Sequence, residues 1–127
     1  GCSNFLIEGC VTYCNEAKIR RLGVHPETLD AHTAVSAECA KEMALGVRAS
    51  AGADFGLATT GIAGPQGGSE ERPVGRVYVA IADENGAEAV ELNLFGDRER
   101  VRISATLNAL DLLRRKCLKR TIVRDIL

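Results

Sequence analysis

The chain has 127 residues, enough for one domain with a single core. With no Trp and only three Phe and two Tyr, aliphatic side chains must fill the interior, as in a layered α/β domain. Lys plus Arg number 16 and Asp plus Glu 17, a net charge of -1 that argues against a dedicated nucleic-acid binder while leaving room for a small anionic ligand held by two or three local Arg.

The cysteines, Cys2, Cys10, Cys14, Cys39 and Cys117, form no Cys-x-x-Cys pair, and His25 and His32 lack metal-type spacing. Reduced thiols, a cytoplasmic location and no metal are expected. No apolar run approaches the roughly 20 residues of a membrane helix, so no membrane partner is expected. No signal peptide is visible, and the chain opens at Gly1 rather than Met, as a processed or excised piece would.

In chain order, Gly9 to Tyr13 reads as a short strand, with Val11 and Tyr13 as strand formers. Asn15-Glu16-Ala17-Lys18 turns helical, with its N-cap at Cys14 or Asn15, an apolar edge of Ile19 and Leu22, and Gly23 as the stop. Pro26-Glu27-Thr28-Leu29 restarts a short helix with proline in its first turn. Ser36 is the best helix start in the chain. Ala40, Met43, Ala44, Val47 and Ala51 follow at helical spacing, and Gly52 closes the helix.

Ala53 to Thr60 reads as a buried strand that runs into a glycine-rich segment, Thr60 to Gly75. Arg76 to Ala82 is a strong strand, Glu84 to Ala87 carries a hairpin signal, and Ala89 to Phe95 is the returning strand. Asp97 caps a long last helix. Val101, Ala105 and Leu112, with Ile103, Leu107, Leu110 and Leu113, predict a broad apolar face on it. Arg114, Arg115, Lys116, Lys119 and Arg120 cluster towards the expected C-terminal end, where the helix dipole favours positive charge. Thr121 to Leu127 has no clear assignment. The order predicts an α/β layered sandwich, a mixed β-sheet with helices packed on its faces.

Three stretches carry possible chemistry. Lys18 follows a buried strand by one helical turn, and desolvation there would free a neutral amine to act as a base. The alternative is a surface lysine paired with Glu16. Thr60-Gly61-Ile62-Ala63-Gly64-Pro65 lets backbone N–H groups approach a ligand, although it is neither a Walker A loop nor a dinucleotide fingerprint. A purely structural loop is the alternative. Arg98 and Arg102 lie four apart near a helix start and share a face that could clamp a phosphate or carboxylate, or simply be solvated.

Taken together and in order, Val-Thr-Tyr-x-Asn-Glu-Ala-Lys, Leu-Gly-Val-x-Pro-Glu-Thr-Leu, Ala-Val-Ser, Thr-Gly-Ile-Ala-Gly-Pro-x-Gly-Gly-Ser-Glu-Glu-x-Pro-Val-Gly and Gly-Asp-Arg resemble the CinA C-terminal family. The resemblance runs from about Gly1 to about Leu118, so residues 1–127 form one such domain with a tail, 119–127, outside it. It implies hydrolysis of the carboxamide of nicotinamide mononucleotide to nicotinate mononucleotide and ammonia by a serine–lysine pair, without a cofactor. Lys18 falls on the family's lysine. Tyr13, Thr60, Gly61, Ile62, Ala63 and Gly64 would line the substrate pocket, and Arg98 and Arg102 match basic positions for the phosphate.

The family's serine belongs to a Glu-Ser-x-Thr-Gly-Gly motif a few dozen residues before the segment that matches Gly1. That motif does not occur in these 127 residues, which are therefore expected to lack the nucleophile and to be inactive alone. A non-catalytic subunit that binds the nucleotide or assists assembly is the alternative. A homo-oligomer is expected, because pairing would cover the edges of a small sheet.

Overall fold

The computed structural model describes residues 1–126, with side chains described through Lys119. Four helices and three strands follow in the order α1 (Asn15–Leu22), α2 (Pro26–His32), α3 (Ala37–Ala51), β1 (Gly56–Gly61), β2 (Arg76–Asp83), β3 (Gly86–Asn93) and α4 (Arg98–Ile126). The strands form one sheet in the order β1-β2-β3. Both pairings are antiparallel, from Gly56↔Ala82 to Gly61↔Val77 and from Arg76↔Asn93 to Asp83↔Gly86.

Local chemistry sets the helix ends. Gly23 and Gly52 close α1 and α3 in the left-handed conformation, at φ 68° and 60°. Ser36 Oγ accepts from the Cys39 N–H at 3.1 Å, and Asp97 Oδ1 from the Arg100 N–H at 2.9 Å. The N-cap of α2, His25, makes no side-chain cap of its own, and Glu42 of α3 takes over that role. One carboxylate oxygen accepts the His25 N–H at 2.8 Å, and the other accepts Thr28 Oγ1 at 2.6 Å.

The two sheet faces carry different side chains. Ala58, Ala80 and Ala82 look towards α1, α2 and α3, packing on Leu22, Leu29, Cys39, Ala40, Met43 and Ala44. Val77 and Val79 look the other way, onto Val101, Ala105 and Ala109 of α4. Burial of these aliphatic groups is the main stabilising term.

Several sequence expectations need correction. Among the described strands none includes residues 9 to 13, and Val11 and Tyr13 are 92% and 86% exposed. A strand exists only through a neighbour's hydrogen bonds, and among the described residues β1 and β3 pair with β2 alone. The α/β layering with helices on both faces holds, whereas the described strands are all antiparallel rather than of mixed direction.

β3 begins at Gly86, because Asp83↔Gly86 closes a two-residue turn whose Asn85 N–H is held by Asp83 Oδ1 at 2.8 Å. The core-facing stripe of α4 is narrow. Ile103, Leu107 and Leu110 lie roughly opposite Val101, Ala105 and Ala109 on the helix and are 53%, 61% and 52% exposed. The helix also runs through most of the unassigned tail to Ile126, and Leu127 lies outside the described residues. Arg114, Arg115 and Lys116 are therefore mid-helical and find partners there: Asp111 takes both arginines, and Lys116 Nζ meets Glu88 at 3.1 Å.

Burial alone pushes the Glu42 carboxyl up, but the Thr28 and His25 hydrogen bonds outweigh it and hold the group below its ordinary value of 4.5. A carboxyl depressed by folding stabilises the fold fully above its unfolded pKa, and that contribution is lost as pH falls through the folded one. Glu42→Gln should therefore melt below the unsubstituted protein at neutral pH, with the gap narrowing once pH drops under about 4.5. Melting curves across that range check this, and a gap constant with pH would contradict it.

Candidate active site

At one end of the sheet β1 ends, β2 begins and β3 ends, and α3 and α4 both start there. The glycine-rich segment joins β1 to β2 across this end as a long hairpin. It is pinned on three sides. Thr60 Oγ1 donates to the Ala34 carbonyl at 2.6 Å, tying the end of β1 to the loop between α2 and α3. The Gly75 N–H donates to the Ile62 carbonyl at 2.7 Å, and the Leu94 N–H to the Gly75 carbonyl at 2.8 Å. Arg98 Nη1 donates to the Gly64 carbonyl at 3.0 Å.

Glycine is required where the pinning is tightest. A Cβ on Gly75, whose φ is 93°, would stand 1.9 Å from the Leu94 carbonyl oxygen, and one on Gly64, at φ 81°, would stand 2.4 Å from Val74 Cγ1.

Lys18 lies within α1 and is only 7% exposed. Its Nζ donates to the Thr12 carbonyl at 2.6 Å and to the Tyr13 carbonyl at 3.4 Å, so the segment before α1 curls its backbone over the amine. The surface pairing with Glu16 does not occur. The amine also faces the start of α3: burial pushes the Cys39 thiol up, and the charge of Lys18 pulls it back.

The position of α1 depends on Gly46 in the middle of α3. A Cβ there would lie 1.8 Å from the Leu22 carbonyl oxygen, so a side chain would force the two helices apart. The adjoining loop is strained, with Thr33, a β-branched residue, at φ 66°.

The sequence-derived site residues are thus partly gathered. Thr60, Gly61, Ile62, Ala63 and Gly64 form one continuous wall, and Arg98 reaches it. Thr60 spends its hydroxyl proton on Ala34, so towards a ligand it can only accept. Tyr13 contributes its carbonyl, while the residue is 86% exposed. Arg102 sits one turn beyond Arg98, in a shallow open hollow with Glu99, Ile103, Thr106 and Leu107. Sequence reasoning missed Thr12 and Gly46. Thr12 is the buried member of Val-Thr-Tyr, but a period of two fits either face, so the sequence did not mark it.

The fold and site describe a small antiparallel α/β domain that presents a buried lysine and a glycine-rich wall at one end of its sheet. The CinA C-terminal domain family model matches residues 1–117. A competence-damage inducible protein of Acetivibrio thermocellus is 54% identical over 119 residues, covering 94% of this chain and 29% of that protein. A CinA-like protein of Shewanella halifaxensis is 48% identical over 126 residues, covering 98% of this chain and 30% of that protein. The chain thus spans under a third of the length of these curated relatives.

Among solved structures, the competence damage-inducible protein A of Klebsiella pneumoniae superposes with a TM-score of 0.80 at 41% identity, covering 85% of this chain and 67% of that one. The competence/damage inducible protein CihA of Agrobacterium tumefaciens gives 0.77 at 43%, covering 81% and 64%. The chain belongs to the CinA C-terminal domain family. Among the described residues no helix is long and apolar enough to cross a membrane.

Two effects of Gly46→Ala oppose each other. Helix propensity favours alanine by about 1 kcal/mol. Forcing a methyl into a backbone carbonyl costs on the order of 3 kcal/mol, the upper end for overpacking. The clash wins, and Gly46→Ala is expected to lower stability by about 2 kcal/mol in denaturant titration. An unchanged or higher midpoint would show that α1 does not rest on α3 in this way.

Proposed function

We propose that this chain supplies the lysine and the pocket wall of an amide hydrolase acting on the carboxamide of nicotinamide mononucleotide. The observation that carries the reading is the seat of Lys18, buried with its Nζ on two backbone carbonyls. Carbonyl oxygens accept and never donate. They occupy two N–H groups and leave one direction on Nζ, where a neutral amine holds its lone pair and an ammonium its third proton. A group that must take a proton and return it needs that arrangement.

In this reading a serine Oγ attacks the carboxamide carbon while its proton passes to Lys18 Nζ. Backbone N–H groups of the glycine-rich wall hold the oxyanion. The C–N bond then breaks, and Lys18 returns the proton to the departing ammonia. Water repeats the attack on the acyl-serine, releasing the nicotinate nucleotide and restoring the serine. Arg98 retains guanidinium N–H groups beyond the one bound to Gly64, suited to the phosphate, and Arg102 offers a second cation one turn on. Among the described residues the outer edges of β1 and β3 have no strand partner, which supports pairing of subunits.

Among the described residues no serine or cysteine side chain bonds Lys18 Nζ, and in this reading the serine comes from outside residues 1–127, as the family resemblance implies. The same observation favours a second reading, a nucleotide-binding or assembly subunit without turnover. Ammonia release from nicotinamide mononucleotide by the gene product that carries these residues separates the two. Binding without release supports the second.

For the enzyme, Lys18→Ala should leave cooperative unfolding intact and lower turnover by about 100-fold or more, the scale of a lost acid–base group. Near-normal turnover in a folded variant would remove Lys18 from the reaction. Replacing Arg98 or Arg102 by Ala should weaken nicotinamide mononucleotide by roughly tenfold or more while barely affecting the phosphate-free riboside, as expected when one charged contact is lost. Equal weakening of both ligands would assign the arginine a structural role.

A further inference from the structure

Thr12 is 7% exposed, yet its Oγ1 has no hydrogen-bond partner. Buried hydroxyls without partners are uncommon, because desolvation is then uncompensated. Among the described residues Thr33 Oγ1 is the one other case, and it belongs to a residue with a strained, left-handed backbone. Thr12 has no positive φ to account for its hydroxyl.

What distinguishes Thr12 is its neighbour. Its own carbonyl takes Lys18 Nζ at 2.6 Å. A lysine ammonium has three N–H donors. The Thr12 and Tyr13 carbonyls account for two of them, the second at a long 3.4 Å. A threonine hydroxyl lies only a few ångströms from its own carbonyl oxygen, so the unpaired hydroxyl and the unpaired donor share one neighbourhood. Both polar deficits disappear if they meet.

We propose that Thr12 is a positioning residue for Lys18: a turn of its side chain brings Oγ1 onto the third Nζ–H, so that the Lys18 ammonium stands on three oxygens, two fixed carbonyls and one displaceable hydroxyl. Any group that uses Lys18 must displace the hydroxyl, the one member of the three that can rotate away. The catalytic consequence rests on the proton-transfer reading above, whereas the hydrogen bond itself does not.

The experiment is heteronuclear NMR of the gene product with its lysines labelled at Nζ, reading exchange of the Lys18 Nζ protons with water. Thr12→Val removes the hydroxyl and keeps the shape, and should speed that exchange by about tenfold, the loss of one hydrogen bond of ordinary strength. Thr12→Ser keeps the hydroxyl and should leave exchange within about twofold of the unsubstituted protein. If Thr12→Val does not fold, Thr12→Ala serves in its place with the same expectation. Unchanged exchange in the hydroxyl-free variant, together with a higher melting temperature, would show a merely unsatisfied hydroxyl and overturn the proposal. Faster exchange in a protein that releases no ammonia from nicotinamide mononucleotide would uphold the hydrogen bond and reject the hydrolase.

Discussion

The structure depends on how closely α3 approaches its neighbours. A Cβ on Gly46 would stand 1.8 Å from the Leu22 carbonyl, and one on Gly56 would stand 2.1 Å from the Ala44 carbonyl. At both points backbone meets backbone with nothing between. The helix is thereby fixed against β1 on one side and α1 on the other. The alanines of the sheet, Ala58, Ala80 and Ala82, extend that close contact across its face. Because α1 carries Lys18, the height of the amine above the sheet follows from these small residues.

Around that fixed helix the site is assembled by backbone carbonyls more than by side chains. The Thr12 and Tyr13 carbonyls hold Lys18, the Ala34 carbonyl holds Thr60, and the Gly64 carbonyl holds Arg98. A carbonyl has no rotamers, so positions set this way lose little precision to side-chain motion. Lys18, Thr60 and Arg98 come from α1, β1 and α4. The order among them is therefore tertiary and depends on the sheet end being intact.

What was legible in the sequence was local. Gly23, Ser36, Gly52 and Asp97 each act on the residues beside them, so the helix ends follow from short-range chemistry. The motif around Lys18 marked a lysine that the structure buries, and the glycine pattern marked the segment that joins β1 to β2. Pairing was not legible, because residues 9 to 13 have strand composition and no described partner. Nor was facing. Val-Thr-Tyr alternates with a period of two, which fits either face, and the structure buries Thr12 rather than its apolar neighbours. Gly46 reads as a blemish in a helix until the Leu22 carbonyl opposite it is known.

The unlike faces of the sheet imply unlike freedom to vary. On the α3 side the atoms opposing Gly46 and Gly56 include main-chain carbonyls, which cannot repack, so descent with modification at those two positions is confined to glycine. On the α4 side Val77 and Val79 oppose Val101, Ala105 and Ala109, side chain against side chain. Volume lost at one position there can be regained at another, and Val, Ile and Leu can exchange in compensating pairs. Divergence among homologues would therefore accumulate on one side of the sheet, while the other, which carries the lysine, stays close to its ancestral composition.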